Sequence, residues 1–219
     1  DAPVPEDNTV SRAAAAFMRA TGAEGAAITV KKRIPAQAGL GGGSADAAAA
    51  LRGLQQLYDE LDERTLLEIS AKVGADVPFC LNGGTQRAEG IGEVLTPVRG
   101  MKLHLVIAKP AEGVSTKKLF SLLRLPRTMP DTAAALKALS LGDLDALCPL
   151  LFNALEEPAI ELVPAIGQIK QRLFEAGAKA ACMSGSGSAV FGVFADQEAA
   201  LSALPALEDV PFKQFCESL

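Results

Sequence analysis

Apolar positions along the chain switch between helical and extended spacing. Residues 10–20 form an alanine-rich run with Phe17 and Met18 on its apolar side, and Thr21-Gly22 closes it, so a helix is expected there. Across 27–34, Ile28 and Val30 alternate with their neighbours and Lys32 follows the same register, which predicts a strand. A glycine-rich stretch comes next, then a second helix over about 44–57, whose small residues Ala45, Ala47, Ala48, Ala49 and Ala50 suit close packing on a sheet. Leu66, Leu67, Ile69 and Val73 give 62–73 the pattern of an amphipathic helix, with Asp62 as its cap and Gly74 as its stop.

The second half reads as a mixture of both periods. A short strand is expected over 93–98 and a clearer one over 102–108, broken by 110–113. A capped helix follows over 115–123, then a loop marked by Pro126 and Pro130. Helical spacing returns over 131–139, over 143–154 with a kink or split at Pro149, and over 163–176. Strands over 180–183 and 189–194 flank Ser184-Gly185-Ser186-Gly187-Ser188, and a last helix spans 197–204, ending before Pro205. Helices and strands intermix without strict alternation. The expected class is α+β in two lobes, residues 1–98 and 99–219, with a soft boundary near 98–101.

With 219 residues, 49% hydrophobic and only 21% charged, the chain can bury a real core and is not of disordered composition. Its net charge is −5, and Lys31-Lys32-Arg33 is the one basic cluster, which argues against a nucleic-acid partner. No apolar run approaches the roughly 20 residues of a membrane span. Cys80, Cys148, Cys182 and Cys216 sit in apolar company without CxxC spacing, so they read as reduced core residues of a cytoplasmic protein. His104, the single histidine, lies between Leu103 and Leu105 and reads as a strand residue rather than a catalytic base, and a zinc site is not supported.

Chemistry concentrates in the segment Pro35, Ala36, Gln37, Ala38, Gly39, Leu40, Gly41, Gly42, Gly43, Ser44, Ala45. Four glycines before a helix start let backbone approach a ligand closely, and the helix offers free N–H groups and the positive end of its dipole, a combination that fits phosphate. It is not a Walker A loop, because no lysine precedes Ser44, and it is not the dinucleotide GxGxxG fingerprint, because the third glycine is missing. The rival reading is a flexible connection. In Gly74-Ala75-Asp76-Val77-Pro78-Phe79 the apolar neighbours could desolvate Asp76, or its side chain could simply cap a turn. The stretch 184–188 is either a loose hairpin loop or a second small-residue loop at a ligand. Gly83-Gly84-Thr85 and Gly90-Ile91-Gly92-Glu93 read as a turn.

Together these motifs resemble the GHMP kinase superfamily. Pro35-x-x-x-Gly39-Leu40-Gly41 matches its phosphate-loop pattern, and Ser184-Gly185-Ser186-Gly187 resembles its C-terminal glycine motif. Gly39-Leu40-Gly41-Gly42-Gly43-Ser44-Ala45-Asp46, Gly74 to Phe79, Gly83-Gly84, Glu89 to Glu93 and Gly113-Val114-Ser115-Thr116 are most similar, in order and spacing, to the branch acting on diphosphocytidyl methylerythritol in non-mevalonate isoprenoid synthesis. Homoserine and mevalonate kinases usually carry Gly-Leu-Gly-Ser-Ser-Ala instead. The resemblance implies a two-lobed GHMP-kinase-like architecture and transfer of the ATP γ-phosphoryl to a hydroxyl of that small molecule, with ATP and Mg²⁺ as cofactors. It implies that residues 35–45 hold ATP, that Asp76 is catalytic, and that Gly185, Ser186 and Gly187 form a substrate or phosphate loop; it assigns no metal ligand. Another GHMP kinase of homoserine or mevalonate type, or a non-catalytic nucleotide-binding module, stays open, as does a homodimer. No nucleic-acid or membrane partner is implied.

Members of the superfamily begin with strands that carry an Ala-Lys-x-Asn-type segment, whereas residues 4–14 here are similar to a later stretch. The expectation is that several dozen N-terminal residues are missing and that these 219 residues alone turn over poorly, which a steady-state assay of this chain would check.

Overall fold

The computed structural model describes Pro5, residues 7–90, Gly92, residues 94–123 and residues 129–218. Two compact units partition it, one comprising Asp1–Ile34 and Gly41–Pro97, the other Pro35–Leu40 and Val98–Leu219.

In the first unit, helix α1 (Thr9–Thr21) is capped by the Asn8 side chain, which accepts from the Val10 amide, and ends at a left-handed Gly22. Helix α2 (Gly42–Tyr58) starts two residues before its expected position. Ala13 of α1 and Ala47 and Ala48 of α2 are almost fully buried, so two backbones approach closely, while Phe17 and Leu51 fill the space beside them. Phe17 also packs on Tyr58, with ring centroids 6.2 Å apart, and the Tyr58 hydroxyl donates to the Gly25 carbonyl. Helix α3 (Glu63–Val73) is capped as anticipated, the Asp62 carboxylate accepting from the Thr65 amide at 2.7 Å. Arg12 of α1 donates to the carbonyl of Val73 at its end.

Two expectations change in this unit. Residues 27–34 form no strand: Ile28 and Val30 are half-buried between exposed neighbours, but no described strand runs beside them to exchange backbone hydrogen bonds. The Gly74–Phe79 turn is instead the approach to a short helix, α4 (Val77–Asn82), whose first turn tolerates Pro78 because its missing N–H would have no partner there. Beyond it, β1 (Gln86–Glu89) and β2 (Val94–Pro97) pair antiparallel as a hairpin.

The second unit is built on an antiparallel sheet. Its strand β3 (His104–Lys109) precedes α5 (Thr116–Leu122), α6 (Thr132–Leu141) and α7 (Leu144–Leu147), capped by Ser115, Asp131 and Asp143 respectively. The loop expected around Pro126 lies outside the described residues; Pro130 is in irregular chain. Pro149 does split the helix, leaving one 3₁₀ turn over Cys148–Leu150, and the expected continuation to residue 154 does not form. Then come α8 (Glu156–Leu162), α9 (Ala165–Glu175), β4 (Ala180–Met183), β5 (Val190–Phe194), α10 (Gln197–Ala203) and β6 (Phe212–Glu217). The sheet order is β4-β5-β3-β6. Leu173 and Ile166 of α9 join Val106, Val190 and Phe194 of the sheet in one buried cluster. Helix α8 and strand β6 have no counterpart in the sequence reading. Pro158 masks the first, and the half-buried edge pattern of Phe212, Phe215 and Cys216 masks the second. His104 is a β3 residue, stacked on Phe215 of β6.

Among the described residues no helix is long and apolar enough to cross a membrane. All four cysteines are free, and Cys182 on β4 is the most buried. Burial, then the nearby Glu156 charge, pushes its thiol up to about 11. A folded-state value raised above the unfolded one gives stability that is present below pH 9 and lost as pH rises toward about 11. Chemical denaturation across pH 8–11 should therefore show a falling midpoint, and Cys182→Ala should flatten that fall.

Candidate active site

In the first unit, the helix start is shaped by glycine. Gly41 occupies the N-cap position in the left-handed region, φ 62°, with no side chain to satisfy the first amides. The first intrahelical bond runs from the Ala45 amide to the Gly41 carbonyl at 2.8 Å, so the N–H groups of Gly42, Gly43 and Ser44 have no intrahelical acceptor. No acidic residue lies in the first turn of α2 to offset its dipole. Asp46, one turn on, is paired with Lys32. Thr9 donates to the Gly43 carbonyl at 2.9 Å and pins this end. The arrangement favours an anion.

Asp76 departs from both sequence readings. It stands at the N-cap position of α4, where its side chain makes no capping hydrogen bond. It is also exposed rather than desolvated by Ala75 and Val77: the helix start turns Val77 and Pro78 inward and leaves Asp76 outward. Its Oδ1 lies 3.8 Å from where a side chain on Gly92 would begin. Its carbonyl accepts from the Cys80 amide at 3.1 Å, and burial, then the Asp76 charge, raises the Cys80 thiol. A Cβ on Gly41 would sit 4.0 Å from Cys80 Sγ. Cys80 thus links the start of α2 to the neighbourhood of Asp76, a role the sequence reading missed; the four-residue spacing from Asp76 was its only signal.

In the second unit, Pro35–Leu40 and the stretch 184–189 form a tight pair, which excludes a loose hairpin. Ser188 and Ala189 amides donate to the carbonyls of Gln37 and Ala38 at 3.2 and 3.0 Å, and Ser184 Oγ donates to the Gly39 carbonyl at 2.9 Å. A Cβ on Gly39 would lie 2.0 Å from the Ser184 carbonyl oxygen, and one on Gly185 would lie 2.9 Å from that of Gly39. Gly185 and Gly187 have φ 52° and 77°. Ala38 is buried; Pro35, Gly39 and Leu40 are half-buried and Ala36 exposed. Ser186 faces Thr116, with hydroxyls 3.2 Å apart. Asn153, absent from the sequence reading, clamps the loop by donating to the carbonyls of Met183 and Gly185, both at 2.8 Å. Glu156 accepts from the Met183 amide at 2.7 Å while paired with Lys170. Among the described residues no group of three or more His, Cys, Asp or Glu could hold a metal ion.

Two family models match the chain, GHMP kinases N terminal domain over residues 8–84 and GHMP kinases C terminal over residues 134–210. The chain belongs to the GHMP kinases. Among its curated relatives is the 4-diphosphocytidyl-2-C-methyl-D-erythritol kinase of Desulfitobacterium hafniense strain Y51, 44% identical over 200 residues that cover 89% of this chain and 69% of the relative. The enzyme of the same name from Carboxydothermus hydrogenoformans is 45% identical over 199 residues, covering 88% and 69%. A crystal structure of 4-(cytidine 5'-diphospho)-2C-methyl-D-erythritol kinase superposes with a TM-score of 0.86 at 35% identity, over 99% of this chain and 80% of that one. A homoserine kinase from Cytophaga hutchinsonii shares the fold, with a TM-score of 0.78 at 23% identity over 98% and 76%.

The close approach at Gly39 can be tested directly. Gly39→Ala combines φ 71° with the 2.0 Å overlap, so it should destabilise the second unit by about 3 kcal/mol or more, read by chemical denaturation.

Proposed function

We infer that this protein is an ATP-dependent phosphotransferase whose acceptor is a hydroxyl of 4-diphosphocytidyl-2-C-methyl-D-erythritol. One structural observation carries the chemistry: an uncapped, glycine-started helix end and an exposed carboxylate are linked through Cys80 within one unit. The acceptor follows the relatives that bear that substrate's name.

Phosphoryl transfer depends on positioning and on neutralising charge more than on covalent chemistry. We assign the ATP phosphates to residues 35–45. The amides of Gly42, Gly43 and Ser44 donate to phosphate oxygens, and the absence of side chains at Gly41, Gly42 and Gly43 keeps that approach open. Asp76 accepts the proton of the attacking hydroxyl or orients it; its exposure leaves the carboxylate free to meet substrate. Gly185, Ser186 and Gly187 are assigned to substrate or phosphate contact. Mg²⁺, bound to the nucleotide chiefly through phosphate oxygens and water, would neutralise charge on the β- and γ-phosphates. The start of α2, with free amides and no acidic residue in its first turn, fits the phosphates that would carry the ion, and no side chain is assigned to the ion itself. Residues 1–98 as a nucleotide-binding lobe, a cytoplasmic location and a homodimer complete the proposal.

Asp76→Asn should lower kcat by about 10³-fold while the ATP Kd moves less than about threefold. Equal loss of both would make Asp76 structural. A panel of acceptors separates the alternatives: turnover on the diphosphocytidyl compound, with homoserine and mevalonate inert, supports this reading. The reverse preference makes the protein another GHMP kinase, and ATP binding with no transfer makes it a binding module.

A further inference from the structure

Lys109, the last residue of β3, is 7% exposed. Among the described residues it has no carboxylate partner. Its ammonium donates instead to two main-chain oxygens of the turn that follows, Pro110 at 2.9 Å and Glu112 at 3.4 Å. A buried cation is costly, and an apolar residue would fill the same space without that cost. What offsets that cost here is the pair of main-chain oxygens in the turn that follows.

The Glu112 carbonyl is also the acceptor for Ser188 Oγ, at 2.6 Å, and Ser188 is fully buried. The Ser188 amide in turn donates to the Gln37 carbonyl. The same turn meets Gln37 from its other end, since a Cβ on Gly113 would lie 2.2 Å from Gln37 Oε1 and 2.8 Å from its Cβ. Lys109 and Ser188, the two buried polar side chains described in this unit, thus converge on one carbonyl that borders Pro35–Leu40. Gln37 is held at φ 52°, a region that a non-glycine residue adopts only when its surroundings fix it.

We propose that Lys109 is a positioning residue. Its ammonium locks the 110–113 turn, and through the Glu112 carbonyl and Ser188 the turn sets the conformation of Gln37, Ala38 and Gly39. The consequence for nucleotide binding rests on the assignment of residues 35–45 to ATP; the structural part does not.

Amide hydrogen exchange by NMR, on the chain without ligand, is the primary test. In Lys109→Met the Ser188 and Ala189 amides should exchange at least tenfold faster, while the Lys179 amide, bonded to Val193 at the far end of β5, keeps its rate. Ser188→Ala, a milder change that guards against a Lys109→Met chain that does not fold, should accelerate the Ala189 amide about threefold. Because both side chains act at one carbonyl, the double variant should match Lys109→Met within about twofold. Unchanged Ser188 and Ala189 rates, or equal acceleration at Lys179, would overturn the proposal. A non-hydrolysable ATP analogue gives the second readout, with affinity expected to fall about tenfold in Lys109→Met. The expected exchange pattern with unaltered nucleotide affinity would uphold the positioning role and remove residues 35–40 from the nucleotide site.

Discussion

The structure turns on a main-chain contact too close to admit side chains. Gln37, Ala38 and Gly39 present their carbonyls to Ser188, Ala189 and Ser184, and Gly39 lies so near Ser184 that no Cβ fits between them. Backbone groups buried in this way must find partners, and here each is matched by a named donor. That pairing places Pro35–Leu40 with the second unit. The very next residues begin α2 of the first. One short stretch of chain therefore serves two cores, and the glycines are where its demands are met.

Around that stretch, charge is distributed with some economy. The start of α2 carries no acidic residue and no side-chain cap, and the nearest carboxylate on the helix, Asp46, is neutralised by Lys32. An anion arriving at the helix end meets amides and dipole without a competing negative charge. Asp76 stands on α4, at the cap position, where its side chain makes no capping hydrogen bond. A carboxylate committed to capping would have its lone pairs engaged by the helix amides; this one is not so engaged.

Much of this was legible in the sequence where a local rule decides the structure. The caps Asp62, Ser115 and Gly22, the glycine-to-helix transition at 41–44 and the strands flanking 184–188 all follow from residues acting on their immediate neighbours. The reading failed where the deciding partner is distant. Ile28 and Val30 alternate as a strand would, yet a strand exists only beside another. Strand β6 was invisible because an edge strand with Phe212, Phe215 and Cys216 half-buried does not alternate cleanly. The desolvation considered for Asp76 fails for a similar reason. Apolar neighbours in sequence say nothing about burial when a helix begins at the next residue and turns them away. Asn153 and Lys109 act only through contacts dozens of residues off, and no spacing rule could have found them.

At position 42 the departure from the Gly-Leu-Gly-Ser-Ser-Ala pattern of homoserine and mevalonate kinases has a steric cause within the first unit. A Cβ at position 42 would fall 2.9 Å from Cγ2 of Ile34, a branched side chain that cannot swing aside as a long flexible one could. At position 43 a Cβ would meet Thr9 Oγ1 at 3.5 Å, an ordinary contact, but that hydroxyl is already committed to the Gly43 carbonyl. Position 42 is therefore closed to serine as long as Ile34 stands opposite, whereas position 43 is sterically open. The first hydroxyl the helix can offer is that of Ser44, one residue later. Packing against Ile34 therefore keeps a side chain from position 42, while position 43 meets only an ordinary contact, so the glycine at 42 is the part of the departure that packing before any ligand explains.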